Sequence, residues 1–88
     1  MTSKFTLGRV VATPGALNTI SHEQMLSLLQ RHALGDFGEL CQEDKQANDA
    51  ALLDGSRILS AYTVDGERVW IITEADRSST CILLPEEY

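Results

Sequence analysis

RILSAYTVDGERVWIITEADRSSTCILLPEEY, residues Arg57 to Tyr88, decides the fold. Asp65-Gly66 stands between two runs rich in β-branched and aromatic residues, and a two-residue type I′ turn needs the positive φ that Asp and Gly tolerate. A hairpin on that turn sets the register by arithmetic: Val64 faces Glu67, Tyr62 faces Val69, Ala61 faces Trp70, Leu59 faces Ile72 and Arg57 faces Glu74. Because side chains alternate along a strand, one face holds Leu59, Ala61, Trp70 and Ile72, with Arg57 and Glu74 at its rim. The other holds Ile58, Ser60, Tyr62, Val69, Ile71 and Thr73. A second loop, Ala75 to Ser78, sets Thr73 opposite Thr80, Ile72 opposite Cys81, Ile71 opposite Ile82 and Trp70 opposite Leu83. The central strand, Glu67 to Glu74, is apolar on both faces, and the Trp70 face is the one expected to lie against helices.

Working back from the meander, Phe5 to Ala12 alternates weakly and reads as a strand at an edge of the sheet. Thr13-Pro14-Gly15-Ala16 breaks it, since proline fixes φ and removes a donor. Ser21-His22-Glu23-Gln24 fits a capping box, with Ile20 and Met25 as the hydrophobic staple. A helix is expected over Ser21–Leu34, with Met25, Leu28, Leu29 and His32 on its apolar stripe and Gly35 just past its end. A second helix is expected from about Glu43 to Leu53, presenting Ala47, Ala50 and Ala51 with Leu52 or Leu53, and ending before Gly55. The order β-α-α-β-β-β defines an α+β fold in which two helices pack on a small antiparallel sheet, as a single domain over residues 1–88.

An 88-residue chain can build one core of modest stability. Its formal net charge is −6, divided as +2 over residues 1–35, −5 over residues 36–56 and −3 over residues 57–88. Backbone recognition of nucleic acid needs clustered Lys and Arg, and the seven basic residues here are scattered, so nucleic acid is disfavoured as a partner. The acidic band from Asp36 to Asp54 reads as a solvated helix face, or as a surface for a basic partner. Cys41 and Cys81 have no CxxC spacing and no histidine-rich neighbourhood, which suits free thiols in a reducing, cytoplasmic setting. His22, His32 and two separated cysteines do not make a zinc set, so no metal and no cofactor is expected. Val10 to Ser21 is uncharged but too short to span a membrane and lacks the marks of an export signal.

The residues able to carry chemistry are few. His32, four residues before Asp36, has the form of a general base oriented by a carboxylate, or of a structural histidine at a helix end. Arg57 opposite Glu74, with Asp76 and Arg77 from the adjoining loop, is a cross-strand ion pair or one half of a polar site; Asp76 also fits an Asx-turn with Ser78. Ser60, Tyr62, Thr73 and Thr80 set four hydroxyls on one sheet face, a lining suited to a polar ligand or partner as well as to ordinary cross-strand pairing. Asn48 either bonds backbone or faces the Arg57 region. Among the glycines there is no phosphate-binding loop.

Thr13-Pro14-Gly15-Ala16-Leu17, Arg31-His32 followed by Gly35-Asp36-Phe37-Gly38, Asp44, Asn48, Gly55, Arg57, Ser60-Ala61-Tyr62, the run Trp70 to Ser78 and the closing Leu83-Leu84-Pro85 and Tyr88 resemble a family of small uncharacterised bacterial proteins associated with plasmids and other mobile elements. The resemblance covers nearly the whole chain. Phe37 stands where the family pattern has Trp, and Cys81 where it has a second Thr. The resemblance implies an accessory role in a mobile element and no particular chemistry. Joined to the acidic charge, it favours a non-enzymatic binding protein that acts through a protein partner, with Arg57, Glu74, Asp76, Arg77, Ser60, Tyr62 and Thr80 as the contact set. The alternative is a small hydrolase or ribonuclease, RelE-like by fold analogy, using His32, Arg57, Glu74 and Arg77, with Asp36 in support. Monomer and homodimer are both open, because an edge strand can join its own sheet or complete another.

Overall fold

A computed structural model describes residues 3–88. In chain order the elements are β1 (Arg9–Ala12), α1 (Pro14–Thr19), α2 (His22–Ala33), α3 (Gln42–Asp54), β2 (Ile58–Val64), β3 (Glu67–Thr73), β4 (Ser79–Leu83) and a 3-10 turn (Pro85–Glu87). The meander forms in the expected register through both hairpins, from Val64 opposite Glu67 to Trp70 opposite Leu83. Asp65 and Gly66 have φ of 52° and 83°, as a type I′ turn requires. The sheet has the order β1-β4-β3-β2 and is mixed, because β1 lies parallel to β4 at the edge. An all-antiparallel sheet is thereby corrected in one pairing.

Ser21 caps α2 as the sequence predicts: its hydroxyl accepts from Gln24 N at 3.1 Å, and the Gln24 side chain accepts from Ser21 N at 2.8 Å. α1 is an addition to the two expected helices. Thr13 is its N-cap and Pro14 its first residue, so the tetrad that ends the strand also begins a helix. Proline costs nothing there, since the first amide of a helix has no partner to lose.

The helices cover the other sheet face from the one expected. Ala16, Ile20, Met25 and Leu28 form one buried cluster with Tyr62, Val69, Ile71 and Ile82. Burying each of the larger aliphatics there contributes about 1.5–3 kcal/mol. Both faces of β3 are apolar, so periodicity could not choose between them. Ala51 of α3 joins Phe37 and Ile58 in a second cluster, while Leu53 is 92% exposed and Ala47 and Ala50 face solvent.

α3 covers the outer edge of β2 at Leu59. Asn48 donates to Leu59 O at 2.6 Å and accepts from Leu59 N at 3.1 Å, taking the place of a neighbouring strand. One step along the edge, Glu39 N donates to Ala61 O at 2.7 Å and Ala61 N to Phe37 O at 3.1 Å. Gly38, at φ +77°, makes this approach possible: a Cβ there would strike Ala61 O and the Tyr62 ring.

Candidate functional site

The α2 stripe carries His32 into the protein, over the hydroxyl-bearing face of the meander, where it is 0% exposed. Its Nδ1 lies 2.5 Å from Ser60 Oγ and its Nε2 2.8 Å from Thr73 Oγ1. Thr73 Oγ1 is 2.8 Å from Thr80 Oγ1, and Thr80 donates to Leu7 O at 2.7 Å. The last link sets the direction of the rest. Thr80 spends its only proton on a carbonyl, so Thr73 must donate to Thr80, and His32 Nε2–H must donate to Thr73. Nδ1 is then the acceptor and Ser60 its donor. The chain runs one way from Ser60 to Leu7, and its histidine is the neutral Nε2–H tautomer.

Burial alone pushes the His32 pKa down to about 4, so the ring is neutral at physiological pH. Phe5 meets it edge-on at 5.1 Å and Phe37 at 6.3 Å between ring centroids. A serine hydroxyl donating to an imidazole has the form of a nucleophile and its base. Here both are enclosed, and every polar atom between them is already paired.

Asp36 does not orient His32. Its carboxylate accepts from Arg31 Nε at 2.7 Å and from Gly38 N at 3.3 Å, and the Arg31 hydrogen bond holds its pKa below the usual carboxylate value. Tyr62 donates to Asp36 O at 2.6 Å beneath the Arg31 guanidinium, which sits 4.6 Å from the ring centroid. Burial pushes the Tyr62 phenol up to about 12. Ser60, Tyr62 and Thr80 therefore lie inside the core, each committed to an internal partner, and form no hydroxyl-lined surface.

Arg57 and Glu74 meet as the register predicts, Nη2 to Oε1 at 3.2 Å, with side chains 50% and 44% exposed. Arg57 Nη1 also donates to the Tyr88 hydroxyl at 3.0 Å, and the Tyr88 ring meets Trp70 edge-on at 5.7 Å. Asp76 makes the Asx-turn, accepting from Ser78 N at 3.0 Å, and this bonding to Ser78 lowers its pKa. Arg77 turns away from that pair to finish α3. Its guanidinium donates to Ala51 O at 3.0 Å, Ser56 O at 2.6 Å, Glu74 O at 3.1 Å and Ala75 O at 3.2 Å, and lies over Phe5. A cation is well placed there, beside the C-terminal end of α3, where it complements the negative end of the helix dipole.

The candidates thus occupy four separate places: His32 in the core, Asp36 on the α2–α3 connection, Arg57 with Glu74 at the rim of the sheet, and Arg77 under the end of α3. What remains partly accessible is the sheet face opposite the helices, on which Ile72, Leu83 and Ala61 are buried and their neighbours are not. Across its strands run Val11, Cys81, Ile72 and Leu59 in one row and Leu83, Trp70 and Ala61 in the next. Arg9, Arg57, Glu74 and Arg68 share that face by the same register, and Tyr88 lies across it. Val11 is 44% exposed, and Trp70, Leu59 and Cys81 are half-buried. Arg68 and Tyr88 do not stand out in the sequence as site residues; the strand parity that places Trp70 also places Arg68, whereas nothing local announces Tyr88.

Among the described residues, no group of three or more His, Cys, Asp or Glu side chains comes together as a metal site requires. Cys41 and Cys81 are unbonded thiols, and no described helix is long and apolar enough to cross a membrane. No protein-family model matches the chain, and neither a curated protein nor a solved structure is similar to it.

Proposed function

We propose that the chain is a small non-enzymatic binding protein, an accessory factor of a mobile element in keeping with the sequence resemblance, and that it engages a protein partner through the sheet face that bears Trp70. The observation that carries this reading is the contrast between the two faces. On the helix side His32 is enclosed, and Asp36 and Arg77 are committed to structural bonds. The opposite side offers an apolar strip of partly exposed Leu59, Trp70, Cys81 and Val11, edged by Arg9, Arg68 and the Arg57–Glu74 pair. An apolar centre with a charged rim is the usual anatomy of a protein contact, and a rim of arginines selects a partner edged with carboxylates. The dispersal of His32, Asp36, Arg57, Glu74 and Arg77 counts against the hydrolase alternative, since acid–base catalysis needs its groups within hydrogen-bond reach of one substrate.

The test is affinity capture from the native host with three forms of the protein. Wild type should retain a partner that Arg57→Glu with Arg68→Glu loses and that Glu43→Lys, on exposed α3, keeps. Equal recovery by all three would remove this face from consideration.

A further inference from the structure

The helix layer stops short of the β1 edge. Arg9 N and Thr13 N donate to Ser78 O and Ile82 O of the β4 side, each at 3.0 Å. By the alternation of a parallel ladder, Val10 and Ala12 turn their N–H and C=O groups outward, away from the sheet. Beside this edge, Val10 and Leu26 are 41% and 50% exposed. They border a groove of about 640 Å³ between β1 and α2, lined also by Leu7 and Leu29. β2, at the far side of the sheet, is covered at Leu59 by Asn48 and at Ala61 by residues 37–39; β1 has no such cover among the described residues.

We infer that β1 pairs with β1 of a second copy of this chain, antiparallel about a two-fold axis through Val11, to give one continuous sheet across a homodimer. The register follows from the free groups. With Val11 opposite its own copy, Val10 of each chain lies opposite Ala12 of the other, and the outward-facing pairs exchange both of their hydrogen bonds. On the helix side, Val10 and Leu26 of the two copies meet over the axis and close the two grooves against each other.

The charges agree with that register. Arg9 falls opposite Thr13 of the second copy, and the Thr13 hydroxyl donates to Glu87 Oε1 at 2.5 Å. Leu84 N, at 2.9 Å, holds the same oxygen. These bonds keep the Glu87 carboxyl below its ordinary pKa, so it is an anion fixed beside the end of β1. Each Arg9 thus meets a Glu87 of the other chain, once on either side of the axis. The acidic band costs little here, because residues 36–56 hold a charge of −5 while residues 1–35, which supply β1 and α2, sum to +2. A strand from another protein would satisfy the same backbone groups, but the repeated Arg9–Glu87 match comes from two-fold symmetry of this chain.

Sedimentation equilibrium on the purified protein, from micromolar to about millimolar, tests the inference, with amide exchange at Val10 and Ala12 as an independent readout. Wild type should dimerise, with both amides slowing as concentration rises. Val11→Lys should give monomers with unchanged circular dichroism, and Arg9→Glu should raise the dissociation constant by about tenfold or more, as expected for juxtaposed like charges. A monomer at every concentration would overturn it, as would a dimer indifferent to both substitutions. Should Val11→Lys fail to fold, exchange at Val10 and Ala12 that does not depend on wild-type concentration would overturn it equally.

Discussion

His32 is held neutral between two hydroxyls, and that makes it the residue through which pH acts most directly on the core. Its pKa is about 4 in the folded protein, against 6.5 for the free side chain. As pH falls below 6.5 the unfolded chain takes up a proton that the native state refuses. Stability is therefore full above pH 6.5, declines between 6.5 and 4, and ceases to depend on this group below 4. The loss is about 3 kcal/mol, at roughly 1.4 kcal/mol for each pH unit that separates the folded and unfolded pKa values. Denaturant titrations at pH 7 and pH 4.5 should show most of it, and His32→Gln should flatten the slope in that window. Nitrogen chemical shifts at pH 7 should report an Nε2–H tautomer with Nδ1 as acceptor. His32→Leu should be strongly destabilising, by about 3–5 kcal/mol, because it strands the Ser60 and Thr73 hydroxyls in the core. The triple change with Ser60→Ala and Thr73→Val should recover part of that loss, which equilibrium unfolding would reveal.

At the scale of elements, the edge of β2 depends on a side chain. Asn48→Leu removes both hydrogen bonds to Leu59 and should cost about 1–3 kcal/mol, with faster amide exchange at Leu59 in native-state measurements. Gly38→Ala should cost more than an ordinary loop substitution. It combines positive φ with a collision against Ala61 O, and tests whether residues 37–39 are bound to β2 as tightly as Asn48.

What the sequence reveals at this scale follows how local each cause is. The Asp65-Gly66 turn and the Ser21–Gln24 box act within a few residues, and both are legible. Pro14 misleads because the same residue ends one element and begins the next. The choice of face for the helices is lost for a different reason: Ile71 and Ile72 are equally apolar, and only the arrival of Met25 and Leu28 decides between them. Arg77 and Asn48 bond backbone groups far along the chain, so their roles have no local signal. The candidate site is the least legible part, since register places Arg57 and Glu74 together at the rim, while the third dimension sends His32, Asp36 and Arg77 elsewhere.

Across the whole molecule, an 88-residue chain leaves little reserve of stability. Association through β1 would add to that reserve by mass action, so melting temperature should rise with protein concentration, by a few degrees over about a hundredfold range. Val11→Lys should abolish this dependence, and calorimetry at two concentrations measures it. The Trp70 face shares Arg9 and Val11 with this edge, but its far end at Tyr88 reports separately. Tyr88→Ala uncovers Trp70, so its fluorescence should shift to the red with a loss of about 1 kcal/mol or less.

Asn48 has one further consequence, and it concerns numbers of chains. A sheet with two open edges is a repeating unit: each added copy offers a fresh place for the next, and growth has no natural end. By covering Leu59 and Ala61 with a helix side chain and the strand-like stretch around Gly38, the fold leaves only the Thr63 end of the β2 edge uncovered, too short to take a strand, so among the described residues β1 is the one edge open along its length. Sheet pairing through β1 must then stop at two.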